Sequence, residues 1–322
     1  MSNQELDPPE VVAVDMAGHG VEILEPREVP LGGPRAMTVR RTLPQRARSL
    51  IGAWCFVDHY GPDDVTQRPN MDVPPHPHTG LQTVSWLFQG EIEHRDSLGS
   101  HAPVRPGELN LMTAGAGIAH SEVGYPTNTI VHGAQLWVAL PDDARGGPRG
   151  FEHVVPEPVR LGAATVRVFI GELAGAASPA RVFSPLVGAQ VDVPAGETVR
   201  IPIEAGFEHG VLVDAGEITV DGESVPLAHL AYVAPGASEL TIAAITDARL
   251  LLIGGAPFGE QIVMWWNFIG RSHEEIVGFR QQWQTEVIEG RYPDGRFGSV
   301  AGYAGRPLPA PELPTVRLKP RG

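Results

Sequence analysis

Short apolar runs alternate with turn residues along most of the chain. Glycine, proline, asparagine or aspartate bound runs such as LQTVSWLFQG, TIVHGAQLWVAL, GAQVDVPAG and ARLLLIGG. Runs of this length, rich in β-branched and aromatic residues, are typical of strands that are separated by turns. Their regular spacing predicts an all-β protein built as a sandwich or a barrel.

One late segment follows a helical pattern instead. The stretch SHEEIVGFRQQWQ starts at Ser272 and carries Glu275 three residues later, ahead of apolar Ile276, Phe279 and Trp283. Serine followed by glutamate at this spacing is the signature of a capping box at a helix amino terminus. We predict a short C-terminal helix that packs on a barrel wall.

The strand pattern also repeats faintly within the chain. WLFQGEIEHRDSLG aligns with LVDAGEITVDGESV through Gly90 and Gly216, and LMTAGAG aligns with YVAPGAS through Gly115 and Gly236. The offset drifts from 126 to 121 residues, as expected if the loops of two copies differ in length. We therefore predict two similar β-domains, at residues 1–180 and 181–322. Two proline-containing stretches could lie near the boundary, PDDARGGPRG after Leu140 and AGAASPARVFSP from Ala174 to Pro185, and the second divides the chain more evenly.

Composition narrows the classes of function. The 322 residues include 38 glycines and 31 prolines, and 24 basic residues face 38 acidic ones for a net charge of -14. Such a charge repels phosphate backbones and anionic membrane surfaces, so direct nucleic-acid or membrane binding is disfavoured. The one basic stretch, RAMTVRRTLPQRAR, has no interleaved aromatic residues, and we interpret it as a solvated strand and turn.

Cysteine content and the amino terminus bear on location. Cys55 is the single cysteine of the sequence, which excludes an internal disulfide and is typical of a reducing compartment. The stretch MSNQELDPPE is polar and acidic, and no apolar run reaches transmembrane length. We expect a soluble, cytoplasmic protein.

The first candidate chemistry lies in PPHPHTGLQTVSWLFQG. His76 and His78 flank Pro77, and residues two apart on a strand point to the same face. Pro77 stiffens the pair because its ring fixes the backbone in an extended region. An isolated pair of this kind is more often a surface turn than a metal site, so a second pair is needed to decide.

The second pair lies in TAGAGIAHSEV, where His120 and Glu122 again stand one residue apart after a glycine-rich turn. Two such pairs on short strands of one domain provide three histidines and one carboxylate. This donor set suits iron, manganese, nickel, copper or zinc, and it excludes a thiolate site or an all-oxygen cage. Four ligands leave two positions of an octahedral ion open, which is typical of a catalytic or sensing site.

Several motifs of the sequence resemble those of a known family. VDHYGP, PPHPHTGLQTVSWLFQGEIEHRDSLG, PGELNLMTAGAGIAHSE, PFGEQIVMWWNFIGRSHEEI and GRFG are similar to motifs of the pirin family of bicupins, from about Arg27 to Gly298. The resemblance implies two cupin-type (jelly-roll) β-barrels in tandem. It also implies one mononuclear Fe²⁺ in the first barrel, which Mn, Ni, Cu or Zn could replace, held by residues that match His76, His78, His120 and Glu122.

The family supports two classes of function. Some members resemble quercetin 2,3-dioxygenases, which would make this chain an iron enzyme that cleaves flavonols with O₂ and uses Glu122 as ligand and proton acceptor. Other members are described as non-enzymatic, iron-dependent co-regulators. The alternative is therefore a redox-sensing protein whose iron alters a surface that binds a protein partner.

Gln82 departs from the family pattern, which usually has glutamate in the strand after the histidine pair. Glutamine cannot act as a base there, and we expect its amide to orient a ligand or the substrate.

The second barrel is expected to have lost its metal site. The repeat offsets carry the ligand positions onto residues of which three cannot bind a metal in the same way: Pro202, Glu204, Thr241 and Ala243.

The remaining histidines and tryptophans receive structural interpretations. We expect His94 and His101 in an exposed hairpin loop and His59 in a turn. His209 and His229 are interpreted as rim or polar core residues of the second barrel. Two adjacent tryptophans are expected in the core or an interface: Trp265 and Trp266.

Overall fold

The computed structural model describes residues 20–31, 37–45, 47–67, 70–292 and 294–322. The predicted acidic amino terminus, Arg35 and Arg46 lie outside the described residues. In chain order, the first strands are β1 (Val21–Leu24), β2 (Arg27–Leu31), β3 (Met37–Leu43), β4 (Trp54–Asp64), β5 (Asp72–His78), β6 (Leu81–Gln89), β7 (Ile92–Asp96), β8 (His101–Val104), β9 (Leu109–Thr113), β10 (Ile118–Gly124), β11 (Ile130–Ala139) and β12 (Gly150–Val154).

The second half of the chain continues the series and ends in a helix. A π-helical turn at Gln284–Ile288 extends that helix. The elements are β13 (Val159–Leu161), β14 (Ala164–Ile170), β15 (Glu172–Leu173), β16 (Ala176–Ala177), β17 (Leu186–Val193), β18 (Thr198–Pro202), β19 (Glu208–Ala215), β20 (Ile218–Val220), β21 (Glu223–Val225), β22 (Leu230–Val233), β23 (Glu239–Ala244), β24 (Ala248–Gly255), β25 (Val263–Trp265), β26 (Phe268–Gly270) and α1 (His273–Trp283).

The chain folds into two cupin-type barrels, each made of a larger and a smaller sheet. The first barrel has the strand orders β12-β9-β6-β11-β4-β3-β2 and β5-β10-β7-β8. The second has β1-β22-β19-β24-β17-β14-β13 and β18-β23-β20-β21. Apart from the edge strands β12 and β1, the orders correspond strand for strand, with β6 matching β19 and β10 matching β23. The predicted all-β class, with two jelly-roll barrels in tandem and a short C-terminal helix, is confirmed.

The glycines of the sequence repeat occupy equivalent turns. Gly90 lies between β6 and β7 with φ of 86°, and Gly216 lies between β19 and β20 with φ of 85°. At both places the chain leaves the larger sheet for the smaller one. A Cβ atom would lie 2.6 Å from the Ile130 carbonyl oxygen at Gly90 and 2.4 Å from that of Asp247 at Gly216. Glycine is required there because of both the backbone angle and the close approach.

The two barrels pack through an apolar interface that their larger sheets share. Two tryptophans reach across it, and each donates its ring N–H to the other barrel: Trp54 Nε1 to the Gly254 carbonyl at 3.0 Å, and Trp86 Nε1 to Gln190 Oε1 at 2.9 Å. Both side chains are fully buried. The interface therefore buries large aromatic rings without leaving their polar atoms unpaired.

Both ends of the described chain cross to the other barrel. Strand β1 precedes the first barrel in sequence but pairs with β22 of the second. After β24 the chain returns to the first barrel, where Trp266, Trp283 and Phe297 form an apolar cluster with Ala119 of β10. The division into domains at residues 180 and 181 stays a prediction.

The C-terminal helix begins where the sequence predicts. Ser272 is its N-cap, and its hydroxyl accepts a hydrogen bond from the Glu275 backbone N–H at 3.2 Å. Ile276 and Trp283 are buried, as the apolar spacing implies. The Glu275 carboxylate also receives both terminal nitrogens of Arg145 at 3.0 Å, which ties the first turn of the helix to the first barrel.

The basic stretch is only partly solvated, contrary to our interpretation. Arg41 is 1% exposed, and it donates two hydrogen bonds of 2.6 and 2.7 Å to Asp58, which is fully buried. A bidentate arginine and carboxylate pair satisfies both buried charges, so this arginine belongs to the barrel wall.

The thiol of Cys55 is unreactive in its buried environment. Cys55 is buried with a free thiol, and burial raises the pKa of that thiol far above its usual value. A thiol that stays protonated is a poor nucleophile.

Within the described ranges, no helix is long and apolar enough to cross a membrane.

A buried polar bridge also joins the barrels. His59 Nε2 and His132 Nε2 of the first barrel both lie 2.6 Å from Asp214 Oδ1 of the second, and Arg249 Nε donates to Asp214 Oδ2 at 2.5 Å. Register shifts occur at His132 in β11 and at Asp214 in β19. Bulges of this kind re-aim a side chain out of the regular alternation. Here they turn two residues towards the interface.

We expect Asp214→Asn to destabilise the protein by about 2–3 kcal/mol, because it removes the charge of a fully buried carboxylate that accepts from His59 and from Arg249, whose own side chain is 28% exposed. Burial opposes ionisation of Asp214, but the two histidines outweigh it and hold the pKa of this carboxyl below its usual range. Urea unfolding at neutral pH measures the loss.

The matched control is Asp192→Asn, which removes a carboxylate that pairs with Arg167 at 3.2 Å on a partly exposed surface. We expect it to cost at most about 1 kcal/mol. Equal losses in the two variants would contradict a bridge that depends on the charge of Asp214.

His209 on β19 should make stability depend on pH. Burial lowers the pKa of His209 to about 4, so between that pH and about 6.5 the unfolded chain binds a proton that the folded chain does not. Stability therefore falls as the pH drops below 6.5. We expect His209→Asn to remove about 2 kcal/mol of the stability difference between pH 7 and pH 5. Urea titrations of both proteins at the two pH values, with His229→Asn as control, test this; an unchanged difference would contradict it.

Candidate metal centre

Three of the four predicted ligands converge in the first barrel. His76 and His78 end β5, His120 lies on the neighbouring strand β10, and His120 stands directly opposite His76. Their ring nitrogens lie within 4.8 Å of one another, and all three side chains are buried. The two sequence pairs are thus brought together by antiparallel pairing of the strands that carry them.

The prolines before the histidines have a structural role. Along the β5 and β10 pair, His120 faces His76, but Glu122 faces Val73, so β5 carries one extra residue at Pro74 and Pro75. Proline is suited to such a bulge because it has no N–H to donate to the ladder. The Pro74 carbonyl accepts a hydrogen bond from His76 Nδ1 at 2.8 Å. The bulge therefore orients the first ligand.

The hydrogen bonds of the Nδ1 atoms, which face away from the trio, determine that the Nε2 atoms are free to bind a metal. His76 Nδ1 faces the Pro74 carbonyl, and His78 Nδ1 faces the Asn267 carbonyl at 3.2 Å. A carbonyl only accepts, so each Nδ1 carries the proton and each Nε2 presents a lone pair. Burial lowers the pKa of all three histidines, that of His76 to about 4, which keeps them in the neutral form that binds metals.

The spacing of these nitrogens fits a transition metal. His78 Nε2 and His120 Nε2 are 3.0 Å apart. Two nitrogens at about 2.1 Å from one ion, at right angles, would lie about 3.0 Å apart. Residues His76, His78 and His120 can thus hold a divalent ion on one face of an octahedron.

Glu122 lies beside this trio rather than within it. Its carboxylate groups with His94 and His120, again within 4.8 Å, and Oε1 is 2.9 Å from the Ser85 hydroxyl. Ser85 also lies 3.0 Å from Gln135 Oε1, and its single proton favours the carboxylate as the stronger acceptor. Burial raises the pKa of Glu122, while His94 and Ser85 act in the opposite direction. Its role as fourth ligand stays a prediction.

Aromatic side chains form one wall of the site. Trp137 meets the His78 ring edge-on at 5.0 Å and stacks on Phe56 at 4.0 Å. Small exposed fractions remain at Glu122, Gln135 and His76, which are 7%, 8% and 5% exposed.

Gln82 does not face the metal centre. Its Nε2 donates to Thr113 Oγ1 and to the Arg181 carbonyl, both at 2.9 Å, so it binds the loop between β16 and β17. Alternation along β6 instead turns Ser85 inward, towards Glu122. The expectation that the Gln82 amide orients a ligand or the substrate was wrong, because position 82 has the opposite parity from position 85.

His94 was also misjudged. It is not in an exposed loop but on β7, 2% exposed, where it stacks on Phe151 at 4.7 Å. Ile92, His94 and Asp96 are buried in alternation along IEHRD. This period of two is typical of a strand, but the glycine and serine that follow led us to interpret the segment as a loop. His101, by contrast, is exposed, as expected.

The inter-barrel bridge is a second cluster with metal-binding residue types: His59, His132 and Asp214. Its chemistry does not fit a metal at His59, because Arg40 Nη2 lies 3.2 Å from His59 Nδ1 and arginine can only donate. Nδ1 must then accept, so Nε2 carries the proton and donates it to Asp214. His59 is therefore a buried strand residue in a hydrogen-bonded bridge, not a turn residue as expected.

In the second barrel, the strands that correspond to β5 and β10 are β18 and β23. Pro202 ends β18, Glu204 follows it, and Thr241 and Ala243 lie on β23. Strand β18 reads TVRIP and β23 reads ELTIAA, so these strands carry no imidazole. The interior of this barrel is instead filled by valine, isoleucine and leucine. Trp265 and Trp266 are buried on the first barrel, as expected.

Comparisons with known proteins agree with this architecture. Residues 36–138 match the sequence profile of pirin, and residues 188–289 match that of the pirin C-terminal cupin domain. A Pseudomonas aeruginosa protein, named a quercetin 2,3-dioxygenase as an unproven assignment, is 42% identical over 92% of this chain and 91% of its own. A pirin-like protein of Caulobacter vibrioides is 36% identical over 77% of this chain and 88% of its own.

A solved structure extends the match to the fold. The crystal structure of a quercetin 2,3-dioxygenase from Acinetobacter baumannii superposes with a TM-score of 0.86 at 38% identity, and covers 92% of this chain and 97% of that one. The two domain profiles, the curated relatives and this structure agree on one conclusion: the chain belongs to the pirin family.

Proposed function

We propose that this chain is a mononuclear iron-dependent dioxygenase that cleaves flavonols such as quercetin with O₂. In this proposal His76, His78, His120 and Glu122 hold one Fe²⁺, a position that Mn, Ni, Cu or Zn could also occupy. The convergence of three buried histidines, with His78 Nε2 and His120 Nε2 3.0 Å apart, is the observation that carries the proposal. The names of the relatives support the substrate class.

The residues of the site have different roles in the proposed reaction. When bound, a divalent ion would polarise the substrate hydroxyl and provide open positions for substrate and O₂. The three histidines would hold the ion in place, because each ring is held by contacts beyond the site as well as by strand pairing. Trp137 and Phe56 exclude water from the side of His78, which strengthens electrostatic interactions in the site.

Glu122 is the proposed proton acceptor. A flavonol must lose its 3-hydroxyl proton to become electron-rich enough to react with O₂. The carboxylate is 7% exposed, and one of its oxygens receives the Ser85 hydroxyl, so the protein positions it without closing it off. A buried carboxyl whose pKa is raised is suited to taking up such a proton.

His120→Ala should abolish metal binding and leave the barrel folded, because the core is held mainly by apolar burial. Metal analysis of protein purified without chelator, together with far-ultraviolet circular dichroism, measures both effects. The control is His101→Ala, which truncates an exposed histidine of the same sheet and should keep one metal equivalent per chain. Retained metal in His120→Ala, or its global unfolding at ambient temperature, would contradict a site of this kind.

Glu122→Gln tests the proton acceptor. The amide keeps an oxygen donor but loses charge and basicity, so iron binding should weaken about ten- to a hundredfold. Turnover per bound iron should fall further than occupancy, most strongly at a pH at which the flavonol is protonated. Oxygen uptake with quercetin, divided by iron content, gives the comparison.

Equal rates per iron in the two proteins would leave Glu122 as a ligand without a role as base. No oxygen uptake by the iron-loaded wild type over a broad panel of flavonols and enols would contradict the enzyme. It would favour the alternative of an iron-dependent regulatory protein.

A further inference from the structure

The outer nitrogen of His120 differs from those of the other two histidines in the trio. His76 and His78 each turn Nδ1 to a neutral backbone carbonyl. His120 Nδ1 instead faces another imidazole, with His94 Nδ1 at 3.5 Å. Both rings are buried, so no bulk solvent separates them.

His94 in turn contacts a buried carboxylate. Its Nε2 lies 3.2 Å from Asp96 Oδ2. The other oxygen of Asp96 accepts the backbone N–H groups of Leu98 and Ser100, each at 2.9 Å, in the turn between β7 and β8. The carboxylate is thus held by the backbone and presents one oxygen to His94.

The three groups have only one arrangement of protons that satisfies every contact in the neutral state of both rings. An ionised carboxylate only accepts, so His94 Nε2 carries the proton and His94 Nδ1 presents a lone pair. His120 Nδ1 must then donate to that lone pair, which leaves His120 Nε2 unprotonated. This is the nitrogen that lies 3.0 Å from His78 Nε2. Asp96 therefore sets the tautomer of His120 through His94.

Strand pairing fixes the geometry of this arrangement. His120 stands opposite Asp96, and Glu122 stands opposite His94, on the adjacent strands β10 and β7. Phe151 of β12 stacks on the His94 ring with an interplanar angle of 23°, which restrains its rotation. All the side chains that link the carboxylate to the inner face of His120 are thus held by sheet and stacking contacts.

We propose that Asp96 and His94 form a hydrogen-bond relay that orients His120 and raises its donor strength towards the bound metal. This inference rests on the metal centre of the proposed function. His94 and Asp96 are positioning residues, because they act on the ion only through His120. A carboxylate behind a ligating histidine strengthens that ligand more than a neutral carbonyl does, so His120 is the strongest of the three nitrogen donors.

The test measures the affinity of the purified full-length protein for Co²⁺, whose visible absorption reports both occupancy and ligand geometry. His94→Leu fills the space beside Phe151 but removes the acceptor, and Co²⁺ should bind about ten- to a hundredfold more weakly. His94→Asn places an amide oxygen near the position of Nδ1 and should recover most of the affinity. Asp96→Asn keeps an oxygen but removes the charge, and should fall between the two.

His101→Leu is the matched control. It makes the same substitution on the neighbouring strand β8, at an exposed histidine that pairs with Glu93, and should leave Co²⁺ affinity within about twofold of the wild type. Circular dichroism of each variant checks folding, and if His94→Leu does not fold, the contrast between His94→Asn and Asp96→Asn decides.

Several results would overturn the relay. One is a Co²⁺ affinity that is unchanged in both His94→Leu and Asp96→Asn. Another is a Co²⁺ affinity in His94→Asn as low as that in His94→Leu, because the loss of packing alone would then explain the weaker binding. A second equivalent of Co²⁺ that disappears in His94→Leu would make His94 a ligand instead.

The outcome is separable from that of the flavonol reaction. If the wild type binds Co²⁺ and the variants follow the expected order, the relay stands even where iron-loaded protein consumes no oxygen with quercetin. If the wild type binds no Co²⁺, both the metal centre and the relay are wrong.

Discussion

The antiparallel pairing of β5 with β10 is the constraint on which the metal centre depends. It brings two histidines from one strand and one from the next onto the same inner face, and a one-residue slip would turn them to opposite faces. The proline bulge in β5 sets that register and also supplies the carbonyl that holds His76. Because all three imidazoles are buried and neutral, the barrel presents lone pairs rather than charges to an incoming ion.

Much of this could be predicted from the sequence, because strand periodicity is a local property. The alternation of apolar runs gave the all-β class, the spacing of His76, His78 and His120 gave the candidate ligands, and Ser272 gave the start of the helix. What could not be predicted depends on contacts between distant strands. Which face of β6 looks inward decides that Ser85, and not Gln82, meets Glu122. The burial of His94 likewise depends on Phe151 from an edge strand far along the chain.

The two barrels show how one fold can keep its architecture while its chemistry diverges. Both retain the same strand order and the same glycine turn between the larger and smaller sheets, since these determine whether the barrel closes. The strands that bear ligands in the first barrel carry aliphatic and small residues in the second. The second barrel instead supplies the side chains of Asp214 and Gln190 and the backbone carbonyl of Gly254 to the shared interface. The second barrel thus contributes to the stability of the first.

The contact between His78 and the Asn267 carbonyl has a consequence for biosynthesis. The two residues are separated by 189 positions, so at ribosomal rates of about 5–20 residues per second the ligand emerges roughly 10–40 seconds before the group that orients it. During that interval the nascent first barrel can form its sheets, but the ring of His78 lacks its anchor. The orientation of His78 is reached only after Asn267 has emerged and has returned to the first barrel. The candidate metal site therefore takes its final geometry at a late step of synthesis.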